Sequence, residues 1–263
     1  MLEHLPIRVA SDARGEAISL DLASEATHLT VQGQTRSGKS SLVMGLIAAA
    51  VTSPAVAIAG ADPSGVLLHP LRDQAHPEWR SIGGADVRAH VAALGAVVAE
   101  LDRRLAILLD RETDKFTAFA PDLPLVLVVL EEYPGLVAAA EDDDAATGRR
   151  AGERHAPAIR RNVARLVRES AKIGFRLVTI TQRADAAILG GNERSNYAAR
   201  ATLRVDNPDA VRMLHPYCPE DLIDAAHRFP PGVGLFESPE YPLRRVRFPH
   251  VTYIDYLAAV RQP

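Results

Sequence analysis

Cysteine is almost missing from this sequence. Cys218 is the only one, so no disulfide can form within the chain. The thiol reads as a buried or incidental group of a protein kept in a reducing interior. Aromatic residues make up 5% of the 263 positions, and alanine is heavily used. Neither sign of charge dominates: 30 Lys and Arg against 33 Asp and Glu leave a formal net charge of −3. That removes any general signal for polyanion binding but allows a local basic surface. A signal peptide is not visible, because Glu3, Pro6 and Arg8 break the first ten residues. The longest apolar run, Leu42 to Ala61, is split by Thr52, Ser53 and Pro54. A helix, a turn and a buried strand explain it better than a membrane span. The expectation is therefore a cytoplasmic protein with no membrane segment of its own. Internal repeats and long linkers are also lacking. With 47% hydrophobic residues, the chain reads as a single domain: residues 1–24 form a hairpin extension and residues 25–263 the main body.

What is present is a phosphate-binding pattern. Gly33-Gln34-Thr35-Arg36-Ser37-Gly38-Lys39-Ser40 fits G-x-x-x-x-G-K-[ST] without substitution. An apolar-leaning segment, Thr27 to Gln32, runs into it, and a helix-like segment starting at Ser41 leaves it. Strand, glycine-rich loop and helix form the context the motif requires. The two glycines let the backbone curl so that successive N–H groups face one anion, and the helix adds its positive end. Lys39 supplies a point charge for the β- and γ-phosphates of ATP, and the Ser40 hydroxyl is a ligand for Mg²⁺. Gly33 to Ser41 are the candidate nucleotide-binding residues.

The remaining segments fall into order around this loop. Ile7 to Leu22 alternate about Asp12 and Gly15 and predict a β-hairpin. Ala55 to Ala61 predicts a buried parallel strand with Asp62 at its carboxyl end, as ligand contact or turn cap. Asp86 to Leu109 carries an apolar stripe at helical spacing, with Arg104 off the stripe as a weak candidate for a subunit or nucleic-acid contact. Leu123 to Tyr133 is an apolar strand ending in two acids, the shape of a Walker B element. Glu131 is assigned to the metal and Glu132 to the attacking water. Glu141 to Arg154 reads as an exposed polar loop. Arg154, Arg160, Arg161, Arg165, Arg168 and Lys172 then give a helix with a basic side, either solvated or in contact with nucleic acid or a subunit. Phe175 to Arg183 is a further strand, and Gln182 at its end can sense the γ-phosphate. Gly190 to Asn192 marks a turn, and Ala201 to Val205 a strand. Arg200 before that strand is either an arginine finger acting on a neighbouring subunit or a structural ion pair. Two closing strands, 230–236 and 244–248, precede a short helix over 252–260. The fold class these elements predict is α/β: a P-loop NTPase with a mainly parallel central sheet, flanking helices and an N-terminal hairpin.

The order of these elements resembles the motor domain of FtsK/SpoIIIE-type DNA translocases, within the larger group that includes HerA and conjugative ATPases. The carriers are His28 to Ser40, Ala61-Asp62-Pro63, Val128 to Glu132, Ile173 to Arg183 and Asn196 to Arg200, covering about Ile7 to Phe248. The resemblance implies a RecA-like α/β core, Mg²⁺-dependent ATP hydrolysis, a hexameric ring with duplex DNA in its pore, and ATP between subunits with Arg200 serving the neighbour's nucleotide. Departures stand at Arg36 (usually Gly), Glu131 (usually Asp), Ser64 (commonly Lys) and Ala171 (often Arg). The membrane region, linker and winged-helix DNA reader of full-length members are not seen. The sequence reading is thus an ATP-dependent duplex DNA motor of a division, conjugative-element or phage system. The alternative is a coupling ATPase for protein secretion or conjugation that moves or recruits a polypeptide.

Overall fold

A computed structural model describes residues 1–24, 28–84, 86–183 and 194–261. Ten strands form one mixed sheet. Their ranges are β1 Pro6–Ser11, β2 Ala17–Asp21, β3 Leu29–Gln32, β4 Val56–Asp62, β5 Arg80–Ile82, β6 Leu125–Leu130, β7 Phe175–Thr181, β8 Ala199–Thr202, β9 Val233–Glu237 and β10 Arg244–Arg247. The spatial order is β2-β1-β10-β9-β8-β3-β7-β6-β4-β5. From β8 to β5 every pairing is parallel, and from β8 outwards to β2 every pairing is antiparallel. The N-terminal hairpin, β1 and β2, is not a separate appendage: β1 pairs with β10 and extends the same sheet.

The parallel half is buried on both faces, which is why β6 reads as an unbroken apolar run. Leu125, Leu127 and Val129 join the core beneath α1 (Lys39–Ala50) and α7 (Tyr253–Val260), whereas Val126, Val128 and Leu130 join the core on the opposite face. That second face is covered by α2 (Val87–Asp110), α3 (Tyr133–Thr147) and α4 (His155–Glu169). A smaller cluster under α5 (Pro208–Leu214) and α6 (Glu220–Ala226) contains Val211, Cys218, Ile223, Phe229 and Leu235. Cys218 is buried there with its thiol pKa pushed up to about 11 by desolvation, consistent with an inert thiol. Thr252 starts α7 with a reciprocal capping box to Asp255. Among the described residues, no helix is long and apolar enough to cross a membrane.

Several sequence expectations need correction. Residues 141–147 are helical and complete α3. Alanine supplies the propensity, and Leu136, Val137, Ala140 and Asp144 make a buried stripe at helical spacing. Gly148, with φ of 61°, ends that helix. Asp144 is no loose loop acid: its carboxylate accepts the N–H groups of His155 (2.7 Å) and Ala156 (3.0 Å), capping α4. Arg104 is not a surface contact. It is fully buried, donates to Glu100 at 2.6 Å and to the Ile173 carbonyl at 3.0 Å, and lies 4.7 Å from the Phe175 ring centroid. The late strand begins at Ala199 rather than Ala201, so Arg200 lies within it. The expected turn at 190–192 lies outside the described residues.

Candidate nucleotide site

β3 and α1 meet at the glycine-rich loop, at the carboxyl end of the parallel strands. The loop is tied on both sides. Gly33 N–H donates to the Thr181 carbonyl, Gln34 N–H to the Arg204 carbonyl at 2.8 Å, and Gly232 N–H to the Ser37 carbonyl at 2.8 Å. Gly38 has φ of 112°, and a Cβ placed there would lie 3.1 Å from Gly232 N and 3.2 Å from Leu203 Cδ2. Conformation and close approach therefore both call for glycine. Arg36 has φ of 63°, left-handed backbone that costs a non-glycine residue roughly 1 kcal/mol.

These restraints aim the loop's donors outward. Among the described residues, no acceptor takes the backbone N–H of Thr35, Arg36, Gly38 or Lys39. The first turn of α1 carries no acidic side chain to compete for them. Lys39 folds over the loop and donates from Nζ to the Gly33 and Gln34 carbonyls, leaving one of its three donors. Among the described residues, the buried Ser37 Oγ has no hydrogen-bond partner. A cleft of about 710 Å3 opens over the loop, and its walls include Lys39, Ser40, Ser64, Glu131, Glu132 and Gln182. This cradle of backbone donors with a carboxylate rim fits a nucleoside triphosphate and its Mg²⁺.

The two glutamates arrive on β6. Its last residue, Leu130, is buried; Glu131 and Glu132 emerge half-buried beyond it. Glu131 is pinned by its N–H to the Ala61 carbonyl at 2.9 Å. Its carboxyl is pushed up to about 7, first by desolvation, then by Asp62 and Glu132; Lys39 and the Ser64 N–H pull it down. Glu132 has φ of 44° and starts α3. Its pKa is also raised by desolvation, opposed by Lys39 and a bond from the Gln182 backbone N–H. Desolvation depresses the Lys39 pKa, and the two glutamates counter it. Asp62 is the turn cap: its buried carboxylate accepts Ser64 Oγ (2.7 Å) and the N–H groups of Gly65 (2.9 Å), Leu67 and Leu68 (both 2.8 Å).

The structure thus gathers Gln34 to Ser41, Glu131, Glu132 and Gln182 around one cleft, and Gly33 is not among its walls. Ser41 also fastens the C-terminal segment to α1, since its hydroxyl donates to the Val251 carbonyl (3.1 Å) and accepts the Val251 N–H (2.7 Å). Arg200 is not among the residues of this cleft. It donates to the Tyr197 and Leu214 carbonyls and pairs with Glu237 at 3.3 Å. Sequence reasoning missed a second cleft of about 740 Å3, which shares Arg36, Gly38 and Ser41 with the first. Its other walls come from residues 8, 11, 231–232 and 247–250, positions too far apart for any local pattern.

Comparison with known proteins shows the family and the fold. The model of the FtsK/SpoIIIE family matches residues 2–172. The DNA translocase FtsK of Borreliella burgdorferi is 26% identical over 223 residues, covering 80% of this chain and 26% of that protein. The chain therefore spans about a quarter of the length of such relatives. The pCW3 conjugation coupling protein TcpA superimposes with a TM-score of 0.71 at 19% identity, covering 98% of this chain and 70% of that one. The Thermomonospora curvata type VII secretion ATPase EccC superimposes with a TM-score of 0.70 at 21% identity, covering 98% and 30%.

Proposed function

Since the chain belongs to the FtsK/SpoIIIE family, a family of P-loop ATPases, we propose that it is the ATP-hydrolysing unit of a coupling machine for secretion or conjugation, with a polypeptide as its cargo. The catalytic part rests on Lys39, Ser40, Glu131 and Glu132 sharing one cleft. Lys39 and the loop N–H groups hold the phosphates. Ser40 and Glu131 would hold Mg²⁺, which neutralises phosphate charge when bound. Glu132 takes the proton of the attacking water, and Gln182 beside it faces the γ-phosphate end.

The choice of cargo rests on likeness to solved coupling and secretion ATPases, with the basic helix as a second observation. In α4, Arg160 pairs with Glu141, and Arg165 pairs with both Asp102 (2.7 Å) and Glu169 (2.9 Å). Two of the helix's arginines are thereby matched by carboxylates, while Arg161 and Arg168 of the same helix are exposed and form no ion pair among the described residues. Fold likeness to TcpA and EccC is in keeping with a coupling role. The second reading, duplex DNA drawn through a hexameric ring, is favoured by the naming of the curated relatives. In either reading, assembly into a ring would bring a neighbour to the open cleft, and Arg200 could serve that neighbour only after leaving Glu237. The test of the catalytic assignment is a pair of variants. Lys39→Ala should lose nucleotide binding, and Glu132→Gln should bind ATP with turnover reduced about 100-fold or more. Normal turnover by Glu132→Gln would remove the assignment.

A further inference from the structure

Arg36 is held in an unfavourable conformation in the middle of the phosphate loop. Its φ of 63° is left-handed backbone, which glycine adopts without the steric cost a side chain brings. Packing does not account for the arginine. Its side chain is exposed, and among the described residues it makes no ion pair or hydrogen bond. A strained residue kept at a functional site points to a task for its side chain.

The place of the side chain narrows that task. Arg36 is a wall of the nucleotide cleft and also of the second cleft, which Glu131, Glu132 and Gln182 do not reach. The two glutamates respond to Lys39, which pulls both carboxyls down, and Arg36 is not among the groups that act on them. Opposite charges within a few ångströms in a half-buried site interact strongly, so the guanidinium stands away from the γ-phosphate end. Lys39 meanwhile has two donors engaged with the Gly33 and Gln34 carbonyls. We propose that the Arg36 side chain is a second cation of the phosphate loop, gripping the part of the phosphate chain that substrate and product share, so that the site retains ADP about as firmly as ATP. This rests on the reading that the P-loop holds a nucleoside triphosphate.

The chemistry suits such a grip. A guanidinium is always charged, and its planar fork of donors matches two phosphate oxygens at once. A contact made equally to ATP and ADP is uniform binding: it adds affinity without lowering the barrier to hydrolysis. Its kinetic effect falls on dissociation, so ADP leaves slowly and product release limits turnover.

Calorimetric titration of the whole chain with ATP, ADP and inorganic pyrophosphate, each with Mg²⁺, tests this. The parent should bind ADP within about fivefold of ATP. Arg36→Gly and Arg36→Asn, both suited to left-handed backbone, should weaken all three ligands by about tenfold. Arg36→Lys, which keeps the charge without the fork, should fall between them and the parent. The glycine variant should melt no lower than the parent, so its weaker binding is no folding defect. A loss confined to ATP would move the guanidinium to the γ-phosphate. A loss confined to ATP and ADP, with pyrophosphate unchanged, would move it to the nucleoside. Either result, unchanged binding by both neutral variants, or a parent that binds ADP about 100-fold more weakly than ATP would overturn the proposal and leave the P-loop reading intact. Failure of the parent to bind any of the three would overturn both.

Discussion

Glu131 carries the clearest pH signature in the cleft. Its pKa rises from 4.5 to about 7 on folding, so the folded chain holds an extra proton between those values. Its contribution to stability is therefore lost as pH rises through that window. Glu131→Gln should stabilise the ligand-free chain at pH 8 by about 1 kcal/mol, after discounting for solvent screening, and the gain should vanish below pH 4.5. Thermal melts at the two pH values read this directly; equal gains at both would contradict it. The same carboxyl must be ionised to hold a cation. Binding of Mg²⁺-nucleotide at pH 7 should then release about half a proton, seen as a dependence of the calorimetric heat on buffer ionisation enthalpy.

At the scale of elements, α2 is fastened to the turn at 171–173 by one buried cation. Arg104 satisfies Glu100 and the Ile173 carbonyl together. Removing it leaves the Ile173 carbonyl unmatched and Glu100, only 9% exposed, with Arg103 as its remaining partner. Arg104→Met should destabilise the chain by about 2 kcal/mol, a fall in thermal midpoint of roughly 4–8 °C. A change below 2 °C would mean the pair is dispensable. This residue also shows where the sequence stops being informative. A helical wheel places Arg104 off the apolar stripe, and only the packing of the later turn and Phe175 covers it. The phosphate loop was legible because its residues are contiguous and their chemistry is local. The two glutamates were legible because a strand buried on both faces can carry charge only at its tip. Residues 141–147 look like loop from their polarity alone, but alanine propensity and burial at i, i+4 spacing make them helix. The second cleft joins the first strand, the P-loop and the last strand, a juxtaposition that only the β1–β10 pairing creates.

For the whole molecule, the sheet places the nucleotide cleft on the parallel strands and the second cleft at the junction with the antiparallel strands. On the basic helix Arg160 and Arg165 are paired within the chain, while Arg161 and Arg168 are exposed. A motor with a polypeptide as its cargo should turn over ATP without depending on nucleic acid. The most direct measurement is steady-state ATPase of the purified chain with and without duplex DNA, at low and at moderate salt. Turnover within about twofold of its basal rate at either salt is the predicted result. Stimulation of several-fold that fades steeply as salt rises, the mark of phosphate contacts, would contradict it and make duplex DNA the cargo.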